Sequence, residues 1–259
     1  MKIASLSACQ VFDSRGNPTI EAEVTLDNGA RGRGMVPSGA STGQCEALEL
    51  RDGDPKRFRG KSVFKAIANV QEIIAPVLRG RDVFDQAGLD RAMIELDGTP
   101  NKNRLGANAI LAVSRAAAQA AATARGEPLF VSLGQGRGTL LPLPEIQIFG
   151  GGAHANWRTD VQDFLLMANG ARSYAEVMEL THNVYHAAGD LLKERGKYFG
   201  VADEGGYWPK FTTNGEPLQT TSPAGWRPTR WPCLAAAWPG KWQHRFGRAV
   251  IGSAQCLSV

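Results

Sequence analysis

No acidic residue follows Glu216 in this chain of 259 residues. From Ser222 to the last residue there are five basic side chains, four of the six tryptophans and four of the fourteen prolines, with no sustained period of 2 or 3.6. A segment without such a period cannot turn one face to a core. The patterned part of the chain therefore ends near Leu218, and any fold must be built from what precedes it. A shifted reading frame or a spliced-on segment accounts for such a tail better than design does. Tryptophan and arginine are also the composition of an RNA-stacking segment, which is the weaker reading.

The tail distorts the charge balance. It holds five of the 29 basic residues, so the first 221 residues carry 24 against all 25 acidic groups. The overall +4 is a property of the tail and does not imply a nucleic-acid partner for the body. With 43% apolar and 21% charged residues, the body reads as globular. No run of eighteen apolar residues predicts a membrane span. The start, Met1-Lys2-Ile3-Ala4-Ser5, lacks the apolar stretch and cleavage site of a signal peptide. Cys9, Cys45, Cys233 and Cys256 are scattered without metal-ligand spacing, which fits reduced thiols and a cytoplasmic setting.

Residues 3–36 alternate like an antiparallel meander. Ile20, Ala22, Val24 and Leu26 interleave with Glu21, Glu23 and Thr25, and Asp27-Asn28-Gly29 supplies a hairpin turn. Asp13 to Pro18 is a second turn. Val63, Ile67, Val70 and Ile74 share a helical face that Pro76 is expected to stop or kink. A second helix is expected over Asp85–Leu96, and an alanine-rich one, suited to close packing, from Gly106 to Arg125. Leu140 to Pro144 reads as a linker, Ile146 to Phe149 as a strand, and Asp160 to Met167 as another. Val177, Leu180, Val184, Ala187 and Leu191 then give helical spacing, with Gly189 placed to split the run. Two strands, one or two helices and then a loop resemble the opening of a β/α barrel.

That loop is Ala202-Asp203-Glu204-Gly205-Gly206. Two glycines let the backbone turn sharply and hold a carboxylate at the rim of a pocket. Taken alone, the motif is better explained as solvated charges before a turn. The small, hydroxyl-rich Val36-Pro37-Ser38-Gly39-Ala40-Ser41-Thr42-Gly43 has the composition of a mobile loop that closes on an anion or metal, and equally that of an ordinary surface loop.

Together the motifs are specific. Ser14-Arg15-Gly16-Asn17-Pro18-Thr19, the 37–43 loop, Glu46 to Asp54, Leu96 to Lys102, Leu105 to Leu111, Gly151-Gly152-Ala153-His154-Ala155 and Asp203-Glu204-Gly205-Gly206 resemble enolase in order and spacing. The resemblance covers about residues 1–218. It implies a hydro-lyase of glycolysis that dehydrates 2-phosphoglycerate to phosphoenolpyruvate with Mg²⁺. Abstracting a proton beside a carboxylate adds charge to an anion, so the family uses a Lys or His base with one or two Mg²⁺. Hydroxide is a poor leaving group and needs a general acid. By resemblance Glu204 is that acid. His154, Gln162 and Asp163 contact substrate, and Ser41 ligates the second magnesium when its loop shuts. The glycine-rich context favours this role for His154 over a structural one. The resemblance also implies a homodimer.

There are departures. Asp163 stands where the family usually has Glu, one methylene shorter, and Gly150 where it has Asn. Gln44-Cys45 alters the residues after the mobile loop. The family's three magnesium carboxylates, its lysine base and its groups for the substrate's carboxylate and phosphate have no counterpart here. About 80 residues lie between Leu140 and Leu218, against about 250 for a closed barrel. The expected fold is an α+β N-terminal domain (1–138) followed by an incomplete enolase-type β/α barrel (139–218) and an aberrant tail without regular structure (219–259). Such a chain is expected to be inactive alone, with an exposed strand edge that invites aggregation or partner binding. The alternative is a non-catalytic protein that associates with full-length enolase through its N-terminal domain.

Overall fold

The computed structural model describes residues 1–39, 45–152, 156–202, 205–220, 235–236 and 249–254. The chain divides into two units, Met1–Leu140 and Leu141–Val259.

In the first unit, β1 (Ile3–Phe12), β2 (Pro18–Leu26) and β3 (Arg31–Val36) form an antiparallel sheet in chain order. The alternation in β2 is realised: Ile20, Ala22, Val24 and Leu26 are buried. At the β2–β3 turn Gly29 takes φ +85°, which glycine adopts at little cost, and Asn28 accepts a bond from Ala30 N. Helix α4 (Ala107–Arg125) lies on this sheet, burying Ala109, Ala112, Val113, Ala116, Ala117 and Ala120. Its alanines let the helix backbone approach β3 directly. A Cβ on Gly34 would stand 2.7 Å from Ala116 N, and one on Gly32 would stand 2.7 Å from the Gln119 carbonyl carbon.

Pro76 does not stop its helix. Helix α1 (Phe64–Ala68) passes through a π-helical turn (Asn69–Ile74) into α2 (Ala75–Leu78) without a break. The wider turn covers the residues whose carbonyls the proline ring would crowd, so it absorbs the clash. Helix α3 (Gln86–Asp97) starts one residue later than expected because Asp85 is its cap, accepting from Gly88 N. The buried Asp97 carboxylate accepts from Leu105 N at 2.7 Å, from Thr99 N at 3.0 Å and from the Thr99 hydroxyl. A short α5 (Leu129–Gly134) closes the unit.

In the second unit, β4 (Ile146–Gly150) pairs antiparallel with β5 (Asp163–Ala168). Helix α6 (Tyr174–Glu194), β6 (Tyr198–Val201), β7 (Tyr207–Pro209) and α7 (Gly215–Thr220) follow. The expected strand from Asp160 begins at Asp163 instead, because Asp160 is tied to Asn214 by bonds of 2.8 and 2.9 Å. Gly189 does not split α6, which runs unbroken over 21 residues. That glycine is a notch: a Cβ there would stand 2.5 Å from Tyr207 Cζ. The buried line of α6 passes through Ala188 and Leu192, one residue on from Ala187 and Leu191. Ile148, Phe149, Phe164, Leu166, Val184, Leu192, Tyr207 and Phe211 form the core.

The expectation of a tail without regular structure meets two strands. β8 (Ala235–Ala236) and β9 (Ala249–Ala254) extend the sheet to the order β6-β7-β4-β5-β9-β8. The edge of β5 away from β4 is thus paired with β9. Among the described residues the strands of the second unit make an open sheet, an incomplete barrel that follows the α+β N-terminal domain in the chain.

Candidate active site

The second unit brings β4, β5, α6 and the turn of residues 202–206 to one place. Ala202 N bonds Gly206 O at 2.8 Å and Gly205 N bonds Ala202 O at 3.0 Å, with Gly205 at φ +94°. These bonds tie Ala202 to Gly205 and Gly206; Asp203 and Glu204 lie outside the described residues.

Gln147 of β4 organises the surroundings. Its Nε2 donates to Asp163 Oδ1, and its Oε1 accepts from Gly206 N at 3.0 Å. The absence of a side chain at Gly206 makes this approach possible, since a Cβ there would stand 2.8 Å from Gln147 Cδ. From α6, the Tyr185 hydroxyl donates to Gly205 O at 2.9 Å. The Tyr185 ring stacks on Tyr207 with centroids 4.4 Å apart, and Tyr207 in turn fits against Gly189. Burial, followed by the neighbouring Tyr185, pushes the Tyr207 phenol up to about 12. The turn is therefore held from strand and helix alike, by polar contacts in a largely apolar setting.

Beside it lies an open depression of about 510 Å³ lined by Glu145, Ile146, Gln147, Asp163, Leu165, Tyr185 and Gly205. Its described lining carries two carboxylates and no cation. Gln162 adjoins Asp163, and its carbonyl accepts from Gly151 N at 2.6 Å. The loop bearing His154 is closed by bonds from Trp157 N to Gly152 O at 2.8 Å and from Gly152 N to Thr159 O at 2.9 Å. His154 lies outside the described residues, as does Ser41. The stem of the Ser41 loop is anchored within the first unit by Ser38 Oγ on Glu49 at 2.7 Å and by Arg15 on Ser38 O at 2.6 Å.

Sequence reasoning missed Gln147, Tyr185 and Tyr207. Gln147 had a readable signal, one amide inside the apolar run Ile146 to Phe149, where a buried polar group needs a partner. Tyr185 had none, since a tyrosine on a half-buried helix face has no distinguishing pattern.

The described part of the second unit is a glycine-containing turn beside strands of an open sheet, and an α+β unit precedes it in the chain. That order of units is the organisation of the enolases. Residues 3–133 match the family model described as the enolase N-terminal domain, and residues 138–227 match that of the enolase C-terminal TIM barrel domain. The chain belongs to the enolase family. The barrel match runs to residue 227, beyond Leu218 where the motif resemblance ends. Neither β8 nor β9 falls within it. No helix among the described residues is long and apolar enough to cross a membrane.

Proposed function

We propose that these 259 residues carry the acid-bearing half of an enolase site and do not dehydrate 2-phosphoglycerate on their own. In this reading Glu204 is the general acid for the departing hydroxide. In a complete enolase site His154, Gln162 and Asp163 would face the substrate, and Ser41 would give one ligand to a second magnesium whose other ligands the described residues do not supply. The chain is a cytoplasmic relative of the glycolytic hydro-lyase, divided as 1–138, 139–218 and a tail of 219–259.

The lining of the depression carries this reading. Among the described lining residues the carboxylates are Glu145 and Asp163, and Oδ1 of Asp163 is already occupied by Gln147. Among the described residues no three His, Cys, Asp or Glu side chains converge as metal ligands. Hard divalent cations need several oxygen donors in one place, so these residues do not fit Mg²⁺, and no step is assigned to it. The described lining residues include no Lys, Arg or His, so from them a multiply charged phosphoglycerate meets repulsion rather than attraction. The test is incubation of the purified chain with 2-phosphoglycerate and Mg²⁺, followed by phosphoenolpyruvate absorbance. No product above that of the Glu204→Gln variant is expected. Turnover at an ordinary enolase rate, abolished by Glu204→Gln, sinks the proposal.

The second reading is a non-catalytic module that associates with a complete enolase chain through the first unit. The first unit has its own core, and it exposes Phe12 (59%) and Phe58 (44%), which pack against each other with ring centroids 5.8 Å apart. Apolar rings in the open favour a partner surface. Co-elution with full-length enolase supports this reading, and a strictly monomeric chain without affinity for it argues against it.

A further inference from the structure

Strand β5 sits between β4 and β9, and the β9 pairing covers it from end to end, from Asp163 opposite Ala254 to Ala168 opposite Ala249. Without β9 this would be a six-residue edge, Asp-Phe-Leu-Leu-Met-Ala, with a single charge. Such an edge is a template for pairing with another chain. Among the described residues the sheet then ends on the four-residue β6 and on the two-residue β8, which pairs with Val250 and Ile251 of β9. Short edge strands are one way proteins suppress edge-to-edge association. The covering strand, Ala249-Val250-Ile251-Gly252-Ser253-Ala254, is uncharged and has two β-branched residues at its centre. It comes from sequence beyond the enolase barrel match, which stops at residue 227.

We propose that β9 is a self-supplied strand occupying the edge of β5 at which a strand of a second copy of the chain would otherwise add. The segment that looks patternless in sequence thereby does for the incomplete sheet what the absent barrel strands cannot. It closes an edge, and it must be displaced before any chain pairs there.

The register itself is testable in the full chain. Directly opposed residues in an antiparallel ladder lie about 4.5–5.5 Å apart at Cα, within disulfide reach, whereas diagonal neighbours lie about 7–8 Å apart. Leu165 is opposite Gly252. Leu165→Cys with Gly252→Cys is expected to form the 165–252 disulfide under mild oxidation, identified by peptide mass mapping. The diagonal pair, Leu165→Cys with Val250→Cys, should cross-link at least about tenfold less. Equal yields from the two pairs, or no 165–252 link, overturn the proposal. Ile251→Pro removes one ladder donor from β9. Amides of β5 should then exchange at least about fivefold faster, while those of β2 stay protected, and the chain should self-associate on a sizing column. An Ile251→Pro chain with unchanged β5 exchange and no self-association overturns it as well. Ile251→Val is expected to behave as wild type.

Discussion

Gly206→Ala tests the clamp on the acid-bearing turn. The added methyl would stand 2.8 Å from Gln147 Cδ and 2.9 Å from Gln147 Cγ, inside any normal contact, so the Gln147 side chain must leave. Two bonds go with it, Gly206 N to Oε1 at 3.0 Å and Nε2 to Asp163. At about 0.5–1.5 kcal/mol for each, the loss is about 1–3 kcal/mol. Alanine returns about 0.4–1 kcal/mol by restricting the unfolded chain, leaving a net cost of roughly 0.5–2 kcal/mol. Gln147→Ala removes the same bonds and should cost about 1–3 kcal/mol. In the double variant the methyl has room, so the two costs do not add. We predict that Gln147→Ala with Gly206→Ala is no less stable than Gln147→Ala alone, a coupling of about 1–2 kcal/mol. Urea unfolding followed by a probe in the second unit measures this, and hydrogen exchange at Gly206 reports the turn directly. Additive costs would mean that Gln147 does not hold the turn.

In the first unit, Gly34→Ala and Gly32→Ala should each destabilise by about 2–4 kcal/mol in thermal or urea unfolding, because the new methyl meets backbone of α4 that cannot rotate away. A cost below about 0.5 kcal/mol would contradict the close approach. At Asp97 burial favours the neutral form, but donors from Thr99, Leu105 and Arg104 outweigh it and hold the carboxyl below its usual range. A lowered folded value gives stability that is present above the unfolded value of about 3.9 and is lost as pH falls through the folded one. Asp97→Asn should therefore be least stable relative to wild type near neutrality, with the difference shrinking below about pH 4. A pH-independent difference would refute this. Spectrophotometric titration should find one phenol ionising at about 12, absent in Tyr207→Phe.

Much of the first unit was legible because its signals are local. The alternation in β2, the Asn28-Gly29 turn and the alanines of α4 each follow from a short window. What escaped depends on partners far along the chain. Pro76 looks like a stop or a kink until a π turn is seen to carry the helix through it. Gly189 looks like a break until Tyr207, eighteen residues on, is seen to need the space. In the second unit the acid-bearing turn was legible as a motif, but the Gln147 and Tyr185 contacts that hold it are tertiary. The tail shows the limit of periodicity. Six residues of it form a strand because β5 offers an edge, and no pattern within 249–254 announces that edge.

If the chain carries the acid-bearing turn of an enolase and, as among its described residues, no ligand set for the family's metal, it should bind divalent cations poorly. Titration of the purified chain with Mn²⁺, a spectroscopic stand-in for Mg²⁺, tests it most directly, with free ion followed by electron paramagnetic resonance. Only weak, non-stoichiometric binding that disappears at moderate salt is expected. One tightly held Mn²⁺ per chain, retained in salt and lost on removing Glu145 or Asp163, would contradict it.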